Sequence, residues 1–168
     1  MSRPGAKKAS VPDVEIRLAV PGDETVMASL IFDAFLPFRD LYTPDAFDYT
    51  AVTAARISER FAEGPMWLAY MDGEAVGTVS GLPEEERFYI RSMAVKPNAQ
   101  GKRVGQNLLD ALESHARKAG FEKLYLYTTF VLPGARPIYE KNGFYVVRET
   151  APEEWFDMGG IEMEKVIK

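Results

Sequence analysis

The chain has 168 residues, of which 46% are hydrophobic and 27% charged, with a formal net charge of −5. This length suits one domain with a sizeable core, and no apolar run approaches the roughly 18 residues that cross a membrane. There is no cysteine, which excludes disulfides, thiolate metal sites and a cysteine nucleophile and agrees with a cytoplasmic location.

Residues Met1–Pro12 hold Arg3, Lys7 and Lys8 with no apolar stretch after them, so they read as a frayed tail rather than a secretory leader. Val14–Leu18 alternates as a first strand. Pro21-Gly22-Asp23 then breaks the chain, with Asp23 placed as an N-cap. Val26, Met27, Leu30, Ile31, Ala34 and Phe35 follow at helical spacing until Pro37. Phe38–Tyr49 is aromatic and acidic without a clear period, a loop or broken helix. Thr50–Ala62 reads as a second helix.

Met66–Met71 and Glu74–Gly81 are strands joined by Asp72-Gly73, a strong hairpin signal. Glu84-Glu85-Glu86 makes a polar turn before the strand Phe88–Val95. Lys96–Gly101 is a loop, and a long helix follows to about Ala119. Its stripe is Val104, Leu108, Leu109, Leu112, Ala116 and Ala119, and Gly120 ends it. Leu124–Thr128 is a strand, Ala135–Lys141 a short helix, and Phe144–Arg148 and Ile161–Ile167 close the chain as strands. Hairpins beside crossovers imply an α/β (α+β) architecture, a mixed sheet with helices on both faces.

The informative stretch runs from Met93 to Gly105, where a strand ends, a glycine-containing loop turns and a long helix starts. The first amides of a helix lack intrahelical partners and carry partial positive charge. They can hold a pyrophosphate. Gly101 and Gly105 permit close approach, and Lys102 and Arg103 add positive charge. Glycines in such a turn also serve merely to bend the chain. The Walker ending and the three-glycine dinucleotide spacing are both absent.

Gln100-Gly-Lys-Arg-Val-Gly105 resembles the coenzyme A signature of the GNAT superfamily, Gln/Arg-x-x-Gly-x-Gly/Ala. Met93-Ala94-Val95 with Pro97 looks like that family's central strand and its exit. Ala135-Arg-Pro-Ile-Tyr139-Glu-Lys-Asn-Gly143-Phe144 matches its second hallmark, Ala-x-x-x-Tyr-x-x-x-Gly-Phe. The middle glycine of the first pattern is Arg103 here, expected at ordinary helical dihedrals because it starts a helix. Many members place an asparagine three residues before Ala135; this chain has Leu132, so that contact is not carried over.

The resemblance implies one N-acetyltransferase domain over residues 13–168, built on a centrally splayed sheet of six to seven strands flanked by about four helices. It implies acetyl-CoA as acyl donor and no metal. The cofactor would be held by Met93, Ala94 and Val95 on the strand and by Gln100, Gly101, Lys102, Arg103, Val104, Gly105 and Gln106 on the loop. It also implies direct attack by a primary amine of a small molecule or peptide, in a ternary complex without an acyl-enzyme. Homodimers are common in the family, and the last strands are placed to pair between subunits.

Tyr139 is the family's usual proton donor to the departing sulfur, and a phenol there suits that role; alternatively its ring packs in the core. Glu85 or Glu86 could serve as base through water, or the three glutamates form a solvated turn. His115, the only histidine, sits within the long helix, so a histidine triad or metal site is not expected. Phe32, Phe35, Phe38, Tyr42, Phe47 and Tyr49, with Asp40, Asp45 and Asp48, lie where the family shapes its acceptor pocket. They would suit a cationic, partly apolar amine, or they pack the first two helices. A non-catalytic acyl-CoA-binding or sensor module is the competing class. The acidic balance argues against a nucleic-acid partner.

Overall fold

The computed structural model describes residues 13–168; the tail expected over Met1–Pro12 lies outside them. Seven strands form one sheet: β1 (Val14–Leu18), β2 (Met66–Met71), β3 (Glu74–Pro83), β4 (Arg87–Val95), β5 (Lys123–Thr129), β6 (Tyr145–Thr150) and β7 (Gly160–Val166), in the order β1-β2-β3-β4-β5-β7-β6. All neighbours run antiparallel except β4 and β5. The five α-helices among the described residues are α1 (Glu24–Phe35), α2 (Pro44–Thr50), α3 (Ala54–Arg60), α4 (Val104–Lys118) and α5 (Ala135–Lys141). None is long and apolar enough to cross a membrane.

The helix expected over 50–62 is α3, shorter at both ends, and the segment 38–49, expected as a loop or broken helix, holds most of α2. A 3-10 turn covers Leu36–Leu41, and two short helices follow. Each starts on a threonine: Thr43 Oγ1 accepts from the Ala46 amide at 3.3 Å and Thr53 Oγ1 from the Arg56 amide at 3.2 Å. Two caps ten residues apart split the segment, because a helix cannot run through a residue whose side chain takes the amides of the next turn. Asp23 stands at the start of α1, but its carboxylate turns back to Arg17 and to the Val20 amide instead of capping the helix.

Helix α4 covers one face of the sheet, burying Leu108, Leu112 and Ala116 against Phe88, Leu124 and Met163. Helices α1 and α3 cover the other face with Leu30, Ile31 and Ile57 over Met66 and Leu68. Each fully buried side chain of this size contributes about 1.5–3 kcal/mol. A third cluster of Tyr42, Ala46, Phe47 and Met158 lies under α2, so part of the aromatic group packs as core.

Gly77 on β3 sets how closely α4 approaches. A Cβ there would lie 2.8 Å from Val104 Cγ1, 3.1 Å from Leu108 Cδ1 and 3.2 Å from the Ala94 carbonyl oxygen. The α4 N-terminus therefore rests directly on the sheet beside β4. Gly77→Ala is expected to destabilise the protein by about 1–3 kcal/mol through overpacking, read as a lower urea midpoint. An unchanged midpoint would mean that Val104 and Leu108 repack freely.

Candidate active site

Strands β4 and β5 pair only at Arg87–Lys123, Phe88–Leu124 and Tyr89–Tyr125, although β4 runs on to Val95 and β5 to Thr129. Beyond Tyr89 they part. Just before the parting the Tyr89 and Tyr125 rings stack with centroids 4.9 Å apart, and Arg87 lies 3.7 Å over the Tyr125 ring. On the other side of β4 the register with β3 slips: Ala94 faces Thr78, but Arg91 faces Ser80. Ser92 and Met93 together oppose Val79, which is a β-bulge, and Ser92 takes φ 55°. A bulge bends and twists its strand. Arg60 on α3 holds it, donating from Nη1 to Ser92 Oγ at 2.7 Å.

The ladder fixes which backbone groups face the gap. The Lys96 amide donates to the Val76 carbonyl at 2.8 Å. In an antiparallel ladder alternate residues bond the same neighbour, so residues 96 and 94 face β3. Met93 and Val95 direct their N–H and C=O groups the other way, where β5 has moved off. The Gln100 side-chain amide reaches the Val95 carbonyl at 3.4 Å. Ala94 is buried toward the α1 side.

After β4 a 3-10 turn over Pro97–Ala99 leads to Gly101, whose φ of +78° favours glycine. Arg103 does not take helical dihedrals as expected. It sits at φ 65°, ψ 16°, left-handed, at the N-cap of α4. The turn needs a left-handed residue there, and the glycine of the family pattern is the residue that meets this need without strain. The Asn107 amide, bonded to the Arg103 carbonyl at 3.0 Å, is the first in α4 with a backbone acceptor. The amides of Val104, Gly105 and Gln106 precede it. Val104 is buried; Lys102 and Arg103 are exposed, without ion pairs among the described residues. Gly105 faces Met93 and Val95, with Met93 Cε 3.7 Å from where a Cβ would stand.

A cavity of about 470 Å³ occupies the parted strands. Met93, Leu126 and Thr128 line it from the sheet, and Tyr139 from α5. The Tyr139 ring also packs on Phe144, 5.6 Å between centroids, so it is at once a cavity wall and a core contact. Burial pushes its phenol up to about 12. Of the aromatic group, Phe35, Tyr42 and Tyr49 line the cavity. Asp40, Asp45 and Asp48 are exposed and do not line it, and neither do Glu85 and Glu86, exposed at the far end of β4. The lining carboxylate is Glu154, held low by the Ala151 amide and by Arg148. His115 on α4 stands against Trp67 and Phe88, away from the cavity.

A model of the acetyltransferase (GNAT) family matches residues 29–144. The chain belongs to the GNAT acetyltransferase family. It is 29% identical over 137 residues to the IAA acetyltransferase of Azospirillum brasilense, covering 80% of this chain and 86% of that protein. It is 30% identical over 81 residues to the probable N-acetyltransferase camello of Xenopus tropicalis, covering 46% of this chain but only 37% of that protein. The PaiA N-acetyltransferase of Thermoplasma acidophilum, solved in complex with coenzyme A, superposes with a TM-score of 0.78 at 18% identity. That match covers 92% of this chain and 99% of the other, a likeness of fold.

Two features of this GNAT site escaped the sequence reading, the bulge at Ser92 and the buried Arg60. Their signals were present. Arg60 falls three residues after Ile57, on the buried stripe of a short helix where a cation is out of place. Arg91-Ser92 interrupts an otherwise apolar strand.

The left-handed Arg103 carries a direct consequence. Relieving its backbone should return about 1–2 kcal/mol, and the freer unfolded chain of a glycine variant takes back about 0.5–1 kcal/mol. Arg103→Gly is therefore expected to raise the urea midpoint slightly, by the equivalent of about 0.5–1 kcal/mol. A fall would show that contacts of the Arg103 side chain outweigh its backbone strain.

Proposed function

We propose that this GNAT chain, acting as one domain over residues 13–168, is an acetyl-CoA-dependent N-acetyltransferase for a primary amine of a small molecule or peptide. The observation that carries the reading is the pair of gap-facing backbone positions, Met93 and Val95, left without a strand partner beside a cavity. An extended amide-bearing arm of the cofactor can take the place that β5 vacates, as an added strand would. The amides of Gly101 to Gln106, at the start of α4, suit a diphosphate, and the charges of Lys102 and Arg103, without ion pairs among the described residues, favour the same anion. Lack of cysteine leaves nothing to demand an oxidising compartment, and we place the protein in the cytoplasm.

Bound acetyl-CoA supplies a thioester carbonyl as electrophile. The amine nitrogen bonds to its carbon, the carbon–sulfur bond breaks, and the sulfur leaves with the electron pair and takes a proton. Gap-facing amides of β4 can stabilise the oxyanion that develops between these events. Tyr139, half-buried in the cavity wall and protonated at neutral pH, can give the sulfur its proton. Glu154 is a poor base, because its amide and arginine partners favour the ionised form. The amine proton leaves through water.

Calorimetry with acetyl-CoA tests the reading, with stoichiometric binding expected; a protein that ignores coenzyme A and its acyl esters would overturn it. Thiol release with a panel of amines separates an enzyme from a sensor module, which binds but does not turn over. Tyr139→Phe should lower kcat by about 10²-fold while leaving acetyl-CoA affinity near wild type. Since burial raises the phenol to about 12, the kcat/KM profile, which reports free-enzyme groups, should show no descending limb from Tyr139 at or below pH 10.

A further inference from the structure

The cavity wall is cationic where the chain as a whole is acidic. Among the described residues, Arg60, Arg91 and Arg148 line it against one carboxylate, Glu154. Arg148 is answered by Glu154 at 2.9 Å and Glu162 at 3.4 Å. Arg91 bonds Glu63 at 3.1 Å, a carboxylate that Arg56 already takes at 3.0 Å. Arg60 is left over. Only 4% of it is exposed, no carboxylate pairs with it among the described residues, and its Nε has no hydrogen-bond partner. Its one recorded side-chain bond is to the neutral Ser92 hydroxyl.

A buried guanidinium in this condition is expensive, because desolvation is not offset by a counter-charge. Burial, and then the neighbouring Arg91 and Arg56, pull it down to about 10, the direction of a cation lacking its anion. It remains charged at neutral pH. The rest of the wall is aromatic. Tyr49 and Trp155 meet edge to face at 6.1 Å, and Tyr127 stands 5.9 Å from Tyr89. Tyr49 is 57% and Tyr127 46% exposed, ring surface that a flat or apolar ligand group would cover.

We infer that the acceptor is an amine that also bears a carboxylate on an aromatic or bulky apolar frame, with the carboxylate seated against Arg60. The inference rests on the acetyltransferase reading and specifies its substrate. One unanswered guanidinium matches a monoanion, and its planar fork suits a carboxylate. The frame lies on the rings of Tyr49, Tyr89, Tyr127 and Trp155. In the transfer the amine nitrogen gains the acetyl carbon and loses one proton to water, while the departing sulfur gains one; the carboxylate is unchanged.

Matched pairs test it: phenylalanine with phenethylamine, tryptophan with tryptamine and tyrosine with tyramine, each with saturating acetyl-CoA and thiol release as readout. The carboxylated member of each pair is expected to lead in kcat/KM by about 10–100-fold, the worth of a charged hydrogen bond. In Arg60→Gln that ratio should fall toward one, mainly through KM for the carboxylated member. A wild-type ratio at or below one overturns the inference, and so does a ratio that survives in the variant. Should Arg60→Gln fail to fold, as loss of the Ser92 bond permits, the wild-type ratios decide alone. If none of the six compounds releases thiol while other amines do, the acceptor assignment falls and the acetyltransferase reading stands. If no amine releases thiol, both fall.

Discussion

The site is shaped by a bulge in β4 that one hydrogen bond braces, from the buried Arg60 to the Ser92 hydroxyl. Ser92 is the extra residue of a bulge in β4, at a positive φ that a serine does not choose by itself. The bulge turns the strand away from β5. On the near side of it the Tyr89–Tyr125 stack and Arg87 keep the two parallel strands together. On the far side Met93 and Val95 keep their orientation but lose their neighbour. The cavity, the exposed strand groups and the placement of the α4 N-terminus all follow from a sheet closed at one end and open at the other.

Much of this was legible in the residues. Alternation and the Asp72-Gly73 turn placed β1 to β4, and the apolar stripe placed α4, because these elements bury one face against a continuous core and their periods record it. The loop from Gln100 to Gln106 was visible as a glycine-bearing turn before a helix. Helix α2 was harder to see, since its Thr43 cap acts through a local hydrogen bond that leaves no apolar period. Arg103 misled for a related reason. Its position in the chain suggests a helix start, but the turn's geometry is imposed by Gly101 before it and by the helix after it. The parting of β4 and β5 is a tertiary event, and the residues alone supplied it only through resemblance.

Two of the five non-glycine residues at positive φ among the described residues stand beside the site. Ser92 and Arg103, both left-handed and neither glycine, flank the gap-facing strand end. Such residues persist only when their surroundings over-determine them. Here Arg60 holds the first, and the second is held between Gly101 and the Val104 side chain, which packs under Gly77. The near approach of α4 to β3 is thus connected to the loop: Val104 is buried because Gly77 has no side chain, and a buried Val104 fixes where the following amides point.

Composition averages conceal the field that matters. A net charge of −5 suggests a cationic partner, and the acidic residues of the Asp40–Asp48 segment support that suggestion on paper. In the fold those aspartates face solvent, where dissolved salt screens them beyond a Debye length of about 8–10 Å. Arg60 and Arg91 turn inward, where the same charge acts through a less polar medium and is felt more strongly. A surface carboxylate and a buried guanidinium therefore do not cancel, although they do in the sum. The sign of the cavity is set by Arg60, whose position on α3 beside the bulge ties the shape of the site and its charge to one side chain.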